Sequence, residues 1–108
     1  MNYNVEYHDN FRKELKKLQK YPSIKSDLQY LLDNIEKELK LAVDLGGGFK
    51  KIRLAIKSKG KGKSGGARII SYEILIAENN TNIILGSIYD KSKFENINID
   101  LLKEALGL

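Results

Sequence analysis

The chain has 108 residues, a net charge of +5 and a pI near 9.3, with no cysteine, no tryptophan and one histidine, His8. That size suits one domain without staples, and the composition excludes disulfides, thiolate metal sites, cysteine nucleophiles and a zinc site of clustered imidazoles. The N-terminal stretch lacks an apolar core of signal-peptide type and no apolar run approaches membrane-spanning length, so a cytoplasmic protein without a membrane partner is expected.

Tyr3, Val5 and Tyr7 alternate with polar residues, the period of a half-buried first strand. Asp9 is placed to cap a helix whose apolar positions Phe11, Leu15 and Leu18 follow the helical repeat, and His8 reads as a solvated strand end. Pro22 breaks this helix near Tyr21, and Ser23 can cap a second, longer one carrying Ile24, Leu28, Leu31, Leu32, Ile35 and Leu39. The two helices are expected to form a hairpin over a sheet. Leu41 to Leu45 reads as a lead into the break Gly46, Gly47 and Gly48.

Two strand-like runs then flank a glycine-rich loop, SKGKGKSGG. Ile52, Leu54 and Ile56 share one parity, with Lys51, Arg53 and Lys57 on the other. From Arg68 to Ile76 both parities are apolar, as in a central strand covered on both faces. Between Leu45 and Tyr72 there is no acid, while Lys50, Lys51, Arg53, Lys57, Lys59, Lys61, Lys63 and Arg68 supply eight of the nineteen basic residues. Such a block has the electrostatic footprint that a phosphate backbone requires. Its glycines and mutually repelling lysines predict a mobile hairpin tip that contributes little to stability. The glycines link two strands, so this is not a P-loop. Glu78 to Asn82 is a turn signal, Ile83 to Tyr89 a last strand, and Asn96 or Asn98 can cap a closing helix with Leu101, Leu102, Ala105 and Leu106.

The element order β-α-α-β-β-β-α, the segment GGARIISY and the run SIYDKSKFEN resemble the RelE/ParE toxin superfamily of bacterial toxin–antitoxin systems, its HigB/RelE branch most of all. The resemblance covers nearly the whole chain. It implies an α+β domain over residues 1–108, with a mainly antiparallel four-stranded sheet under a two-helix hairpin and a short C-terminal helix. It also implies a ribosome-dependent mRNA endonuclease that inhibits translation, works without a metal or small-molecule cofactor, and is neutralised by a cognate antitoxin, a small helix-turn-helix protein. The alternatives are a ParE-like gyrase inhibitor and a basic nucleic-acid-binding module, since fold alone does not choose among them.

Carried over residue by residue, the catalytic cations of that branch fall on Lys51, Arg53, Arg68 and Lys91. Lys51 would transfer protons, Arg53 clamp phosphate, and Arg68 and Lys91 stabilise charge on phosphorus. Lys57, Lys59, Lys61 and Lys63 would bind RNA, and Tyr89 or Phe94 stack a base. A family tyrosine aligns near Ile97, where this chain has no phenol, and Lys91 stands in place of an arginine, which loses bidentate geometry.

Overall fold

The computed structural model describes residues 2–93 and 97–108. Phe94, proposed to stack a base, and Asn96, a proposed cap, lie outside the described residues. Strands β1 (Asn2–Tyr7), β2 (Val43–Gly46), β3 (Phe49–Leu54), β4 (Ala67–Ala77) and β5 (Asn80–Asp90) form one sheet in the order β1-β5-β4-β3-β2. The helices are α1 (Asp9–Lys16), α2 (Ile24–Asp33), α3 (Ile35–Leu41) and α4 (Ile99–Ala105). No helix among the described residues is long and apolar enough to cross a membrane.

This architecture corrects the expected four-stranded, mainly antiparallel sheet. The sheet is mixed, because β1 pairs parallel with β5, from Asn2 opposite Asn80 to Tyr7 opposite Leu85. The helices carry the chain from one sheet edge to the other. The antiparallel meander β2-β3-β4-β5 then reverses three times and returns beside β1 in the same direction. The fifth strand, β2, arises within the stretch that reads as a lead to the glycines: Val43 pairs with Lys51 and Asp44 with Lys50. The helical layer differs too, since Asn34 adopts φ −121° and ψ 26° and divides the second helix into α2 and α3. The apolar stripe runs across that break, so periodicity alone does not reveal it.

One face of the sheet holds the main core. Ile52, Leu54, Ile56, Ala67, Ile69, Ile83, Leu85 and Ile88 pack against Phe11 and Leu18 and against Ile24, Leu28, Leu31 and Leu39 of α2 and α3. Phe11 is fully buried, with its ring 5.0 Å from that of Tyr7. His8, not Asp9, caps α1: its Nδ1 accepts the Asn10 N–H at 3.0 Å. The opposite face carries a smaller cluster in which Leu102 of α4 meets Phe49, Ile70 and Tyr89, with Ile97, Ile99 and Leu106 alongside. Asn98 caps α4 by accepting the N–H groups of Asp100 and Leu101. The central strand β4 is thus covered on both faces over Ala67–Ser71.

The glycine-rich loop is not a free tip. Strand β3 stops at Leu54, and Lys57–Lys59 form a 3-10 turn closed by Gly60 at φ 70°. At the loop's end Gly66 is buried against the end of β3, where a Cβ would lie 2.0 Å from the Leu54 carbonyl oxygen. A Gly66→Ala variant is therefore expected to push β3 and β4 apart and to lose at least about 2 kcal/mol of stability. Urea unfolding checks this; an unchanged midpoint would show that the approach is not tight.

Candidate nucleic-acid interface

The ladder from β3 to β5 sets the site. Arg53 lies opposite Arg68, and Arg68 opposite Tyr89, so these three residues form one row across the sheet. Lys51 stands in the next row, opposite Ile70. By strand parity Lys51, Arg53 and Arg68 share the face that α4 partly covers. Lys91 lies past the end of β5, where its N–H donates to the Gly66 carbonyl at 3.0 Å, and so sits at the rim of that row.

Two neighbouring arginines on one face repel each other, and direct cross-strand like charges are destabilising. Neither forms an ion pair with a carboxylate among the described residues. Glu73, the nearest acid along β4, is held by Lys50 at 3.0 Å. Arg68 is 3% exposed. Its Nη1 donates to the carbonyls of Lys63 at 2.8 Å and Ala67 at 3.1 Å, and its Nη2 donates to Ser64 at 3.3 Å. Burial first, and then the Arg53 charge, lower the Arg68 pKa, while Tyr89 opposes them. Arg68 thus ties the end of the loop to β4 and projects positive field. Arg53 is exposed, and its side chain is the guanidinium that solvent or a ligand can reach.

The loop lysines divide into two groups. Lys57 and Lys61 are exposed. Lys59 instead reaches inward to Asp90 at 2.7 Å, both side chains being buried, and Lys63 donates to both oxygens of buried Glu38 at 3.2 and 3.0 Å. A third buried carboxylate, Asp27 of α2, accepts the Lys57 N–H at 3.2 Å and the Ser23 hydroxyl at 2.7 Å through Oδ2. The Ser23 hydroxyl, expected as a helix cap, also accepts the Ser58 N–H at 2.8 Å. Part of the cationic block therefore finds its anions within the protein.

Asp90 is the hub of this arrangement. Its Oδ2 accepts the Tyr21 hydroxyl at 2.5 Å, and its Oδ1 accepts from Lys59, the Ser92 N–H at 2.9 Å and the Ser92 hydroxyl at 2.8 Å. Burial by itself raises the carboxyl's pKa. The bonds from Lys59, Tyr21 and Ser92 outweigh it and hold the group well below the usual carboxylate range. The same hydrogen bond, with burial and the Asp90 charge, raises the Tyr21 pKa.

Tyr89 is buried in the apolar cluster with Phe49, Ile70 and Leu102, so its ring does not present an open face to a base. Burial raises its pKa against the effect of Arg68. Ile97 packs on that same cluster, which puts an aliphatic side chain where the resemblance would have a phenol. Asp27, Glu38, Asp90 and Tyr21 are the residues that sequence reasoning passed over. Asp90 alone left a trace, as a charge ending a buried apolar strand.

Removing one partner of a buried ion pair strands the other, so Asp90→Asn should cost roughly 3–5 kcal/mol at neutral pH. A carboxylate with a depressed native pKa stabilises the fold above its unfolded value of about 3.9, and that contribution fades as pH falls toward the native value. The stability gap between wild type and Asp90→Asn should therefore stay level from about pH 5 to 8 and shrink below about pH 4. Urea titrations across pH measure it, and a gap that widened in acid would contradict the assignment. No model of a known protein family matches the chain.

Proposed function

We propose that this protein is a toxin of the RelE/ParE type, a metal-independent endoribonuclease that cuts mRNA on the ribosome. The observation that carries the reading is the pair Arg53 and Arg68, adjacent on one sheet face and without a carboxylate partner among the described residues. Binding a phosphodiester would relieve their repulsion, which makes an anion the natural occupant. Lys51 stands one row away on the same face, and Lys91 follows β5 beside the start of β4, which adds two cations in the neighbourhood of that pair.

In-line attack by a ribose 2′-OH on its own phosphorus needs a group to take the 2′ proton, one to protonate the leaving 5′-oxygen, and donors for the charge on the phosphorane. Lys51 is the group suited to move protons, because a guanidinium's pKa is too high for the task. Arg53 clamps the non-bridging oxygens. Arg68 holds the loop and contributes its field, and Lys91 adds a point charge. Lys57 and Lys61 extend the cationic surface along the RNA backbone, joined by whatever part of Lys63 remains accessible beside Glu38. The protein would act in the cytoplasm, on ribosomes, and be silenced by an antitoxin whose acidic segment covers the same face.

A second reading, a binder without chemistry such as a gyrase inhibitor, is favoured by two observations. Ile97 is aliphatic and Tyr89 is buried, which leaves Lys51 as the sole proton-transfer group assigned to the site.

Expression without an antitoxin separates the two. The ribonuclease predicts early arrest of translation and new mRNA ends inside ribosome-covered regions, with DNA intact. Arg53→Ala should reduce cleavage by roughly two to three orders of magnitude while the fold persists, because its side chain is exposed. Lys51→Ala should also change the pH dependence of cleavage. Intact mRNA alongside broken or relaxed DNA would replace the ribonuclease with the gyrase reading.

A further inference from the structure

A cavity of about 310 Å³ lies between the end of β3, the helices α2 and α3, and the basic loop. It follows from the path of β2, which pairs with β3 only as far as Val43 opposite Lys51. Among the described residues no strand therefore flanks Arg53 and Leu54 on the side away from β4. Leu31, Leu54 and Ala55 give the cavity apolar walls, and Tyr30, 46% exposed, lines it too. Two buried carboxylates complete the lining, Asp27 at 2% and Glu38 at 3% exposed. Glu38 is satisfied, since Lys63 donates to both of its oxygens. Asp27 is satisfied at one oxygen only. Its Oδ2 accepts the Ser23 hydroxyl and the Lys57 N–H, whereas its Oδ1 is buried without a hydrogen-bond partner among the described residues. A buried carboxylate oxygen left unpaired costs free energy that a donor placed in the cavity would recover.

We propose that this cavity receives the base of a nucleotide, an exocyclic amino group donating to Asp27 Oδ1 and the phosphate remaining outside with Lys57. Charge decides against a simple organic cation, because Arg53, Lys57 and Lys63 also line the cavity, three cations to two carboxylates. A fitting ligand is neutral where it meets Asp27 and anionic where it meets solvent. A flat ring suits the apolar walls, and a carboxylate accepting from a base amino group is a recurrent edge contact. Lys57 is exposed, and Lys63 keeps its side chain 42% exposed while holding Glu38, so cations remain at the solvent side for a phosphate. Cytosine, adenine and guanine carry the amino group. Uracil instead sets its ring N–H between two carbonyl oxygens, which a carboxylate repels. A free mononucleotide and a residue of an RNA strand both offer this chemistry. Recognising a base requires no bond cleavage, so the inference stands apart from the ribonuclease reading.

Amide NMR titrations of the purified full chain with cytidine monophosphate and uridine monophosphate test this, the two ligands matching in size and differing in the donor edge of the base. The cytidine ligand is expected to shift the Asp27, Leu31, Leu54 and Ala55 amides saturably, and the uridine ligand to bind at least about tenfold more weakly. In Asp27→Asn the side-chain oxygen can keep the Ser23 and Lys57 bonds and turn its own N–H groups to the cavity. The preference should then invert toward uridine, which mere loss of a structural contact would not produce. The comparison in wild type stands even if that variant fails to fold. A cytidine tetranucleotide that titrates the same amides at lower concentration supports the proposal with RNA as the source, and one that binds no better supports it with the free nucleotide. No saturable shift of Leu31 and Leu54 at millimolar cytidine monophosphate would overturn the proposal, as would equal binding of the two nucleotides or equal shifts from inorganic phosphate. A mononucleotide has no internucleotide bond to cut, so these outcomes leave the ribonuclease reading to its own test.

Discussion

The buried ion pair between Lys59 and Asp90 is the constraint on which the basic face depends. A lysine-rich, glycine-rich stretch has no reason of its own to adopt one conformation, because its backbone is free and its charges repel. Here it is fastened at three points by buried carboxylates. Asp90 at the end of β5 takes the Lys59 ammonium, Glu38 on α3 takes Lys63, and Asp27 on α2 takes the Lys57 N–H. Each carboxylate belongs to a different element, so the loop locks β5, α2 and α3 together. Tyr21, from the turn between the first two helices, completes the Asp90 site.

That fastening has a consequence for Arg68. Its guanidinium lies under the loop, bonded to the carbonyls of Lys63, Ser64 and Ala67, and those carbonyls are in place only because the loop is pinned. A buried arginine beside Arg53 is costly in isolation, since burial and like charge both act against it. The carbonyl dipoles offset part of that cost, and a bound phosphate would offset more. Structure and proposed function thus meet in one electrostatic imbalance, retained on one face and compensated on the other.

Local chemistry was legible in the sequence to the extent that it depends on near neighbours. Alternation located β3, whose Ile52 and Leu54 are buried, and the two-sided apolar pattern marked β4 as the central strand. Pro22 marked a break between the first two helices, although α1 already ends at Lys16, short of the Tyr21 expected. What depends on distant partners was not legible. The parallel pairing of β1 with β5 follows from the path of the whole meander, and β2 is too short to show a period. The anchors of the loop lie 31 residues from Lys59 and 25 from Lys63, so a row of lysines that reads as a solvated tip carries no local sign of being tied down. His8 displaced Asp9 as the cap because its ring nitrogen reaches the Asn10 N–H, a contact that residue preference ranks low. Parity groups Lys51 with Arg53, whereas the cross-strand register that sets Arg68 beside Arg53, and the burial of Arg68 and Tyr89, required the third dimension.

Amide hydrogen exchange across residues 57–66, in wild type and in Lys59→Met, tests the pinned loop most directly. In the wild type the Lys59, Gly60 and Gly65 amides, bonded to Ile56, Lys57 and Lys61, should exchange well below random-coil rates. In Lys59→Met that protection should be lost through the loop while the centre of β4 and β5 stays protected. Loop amides that exchange at random-coil rates in the wild type would contradict the account, for the lysines would then be the free tip that the sequence alone describes.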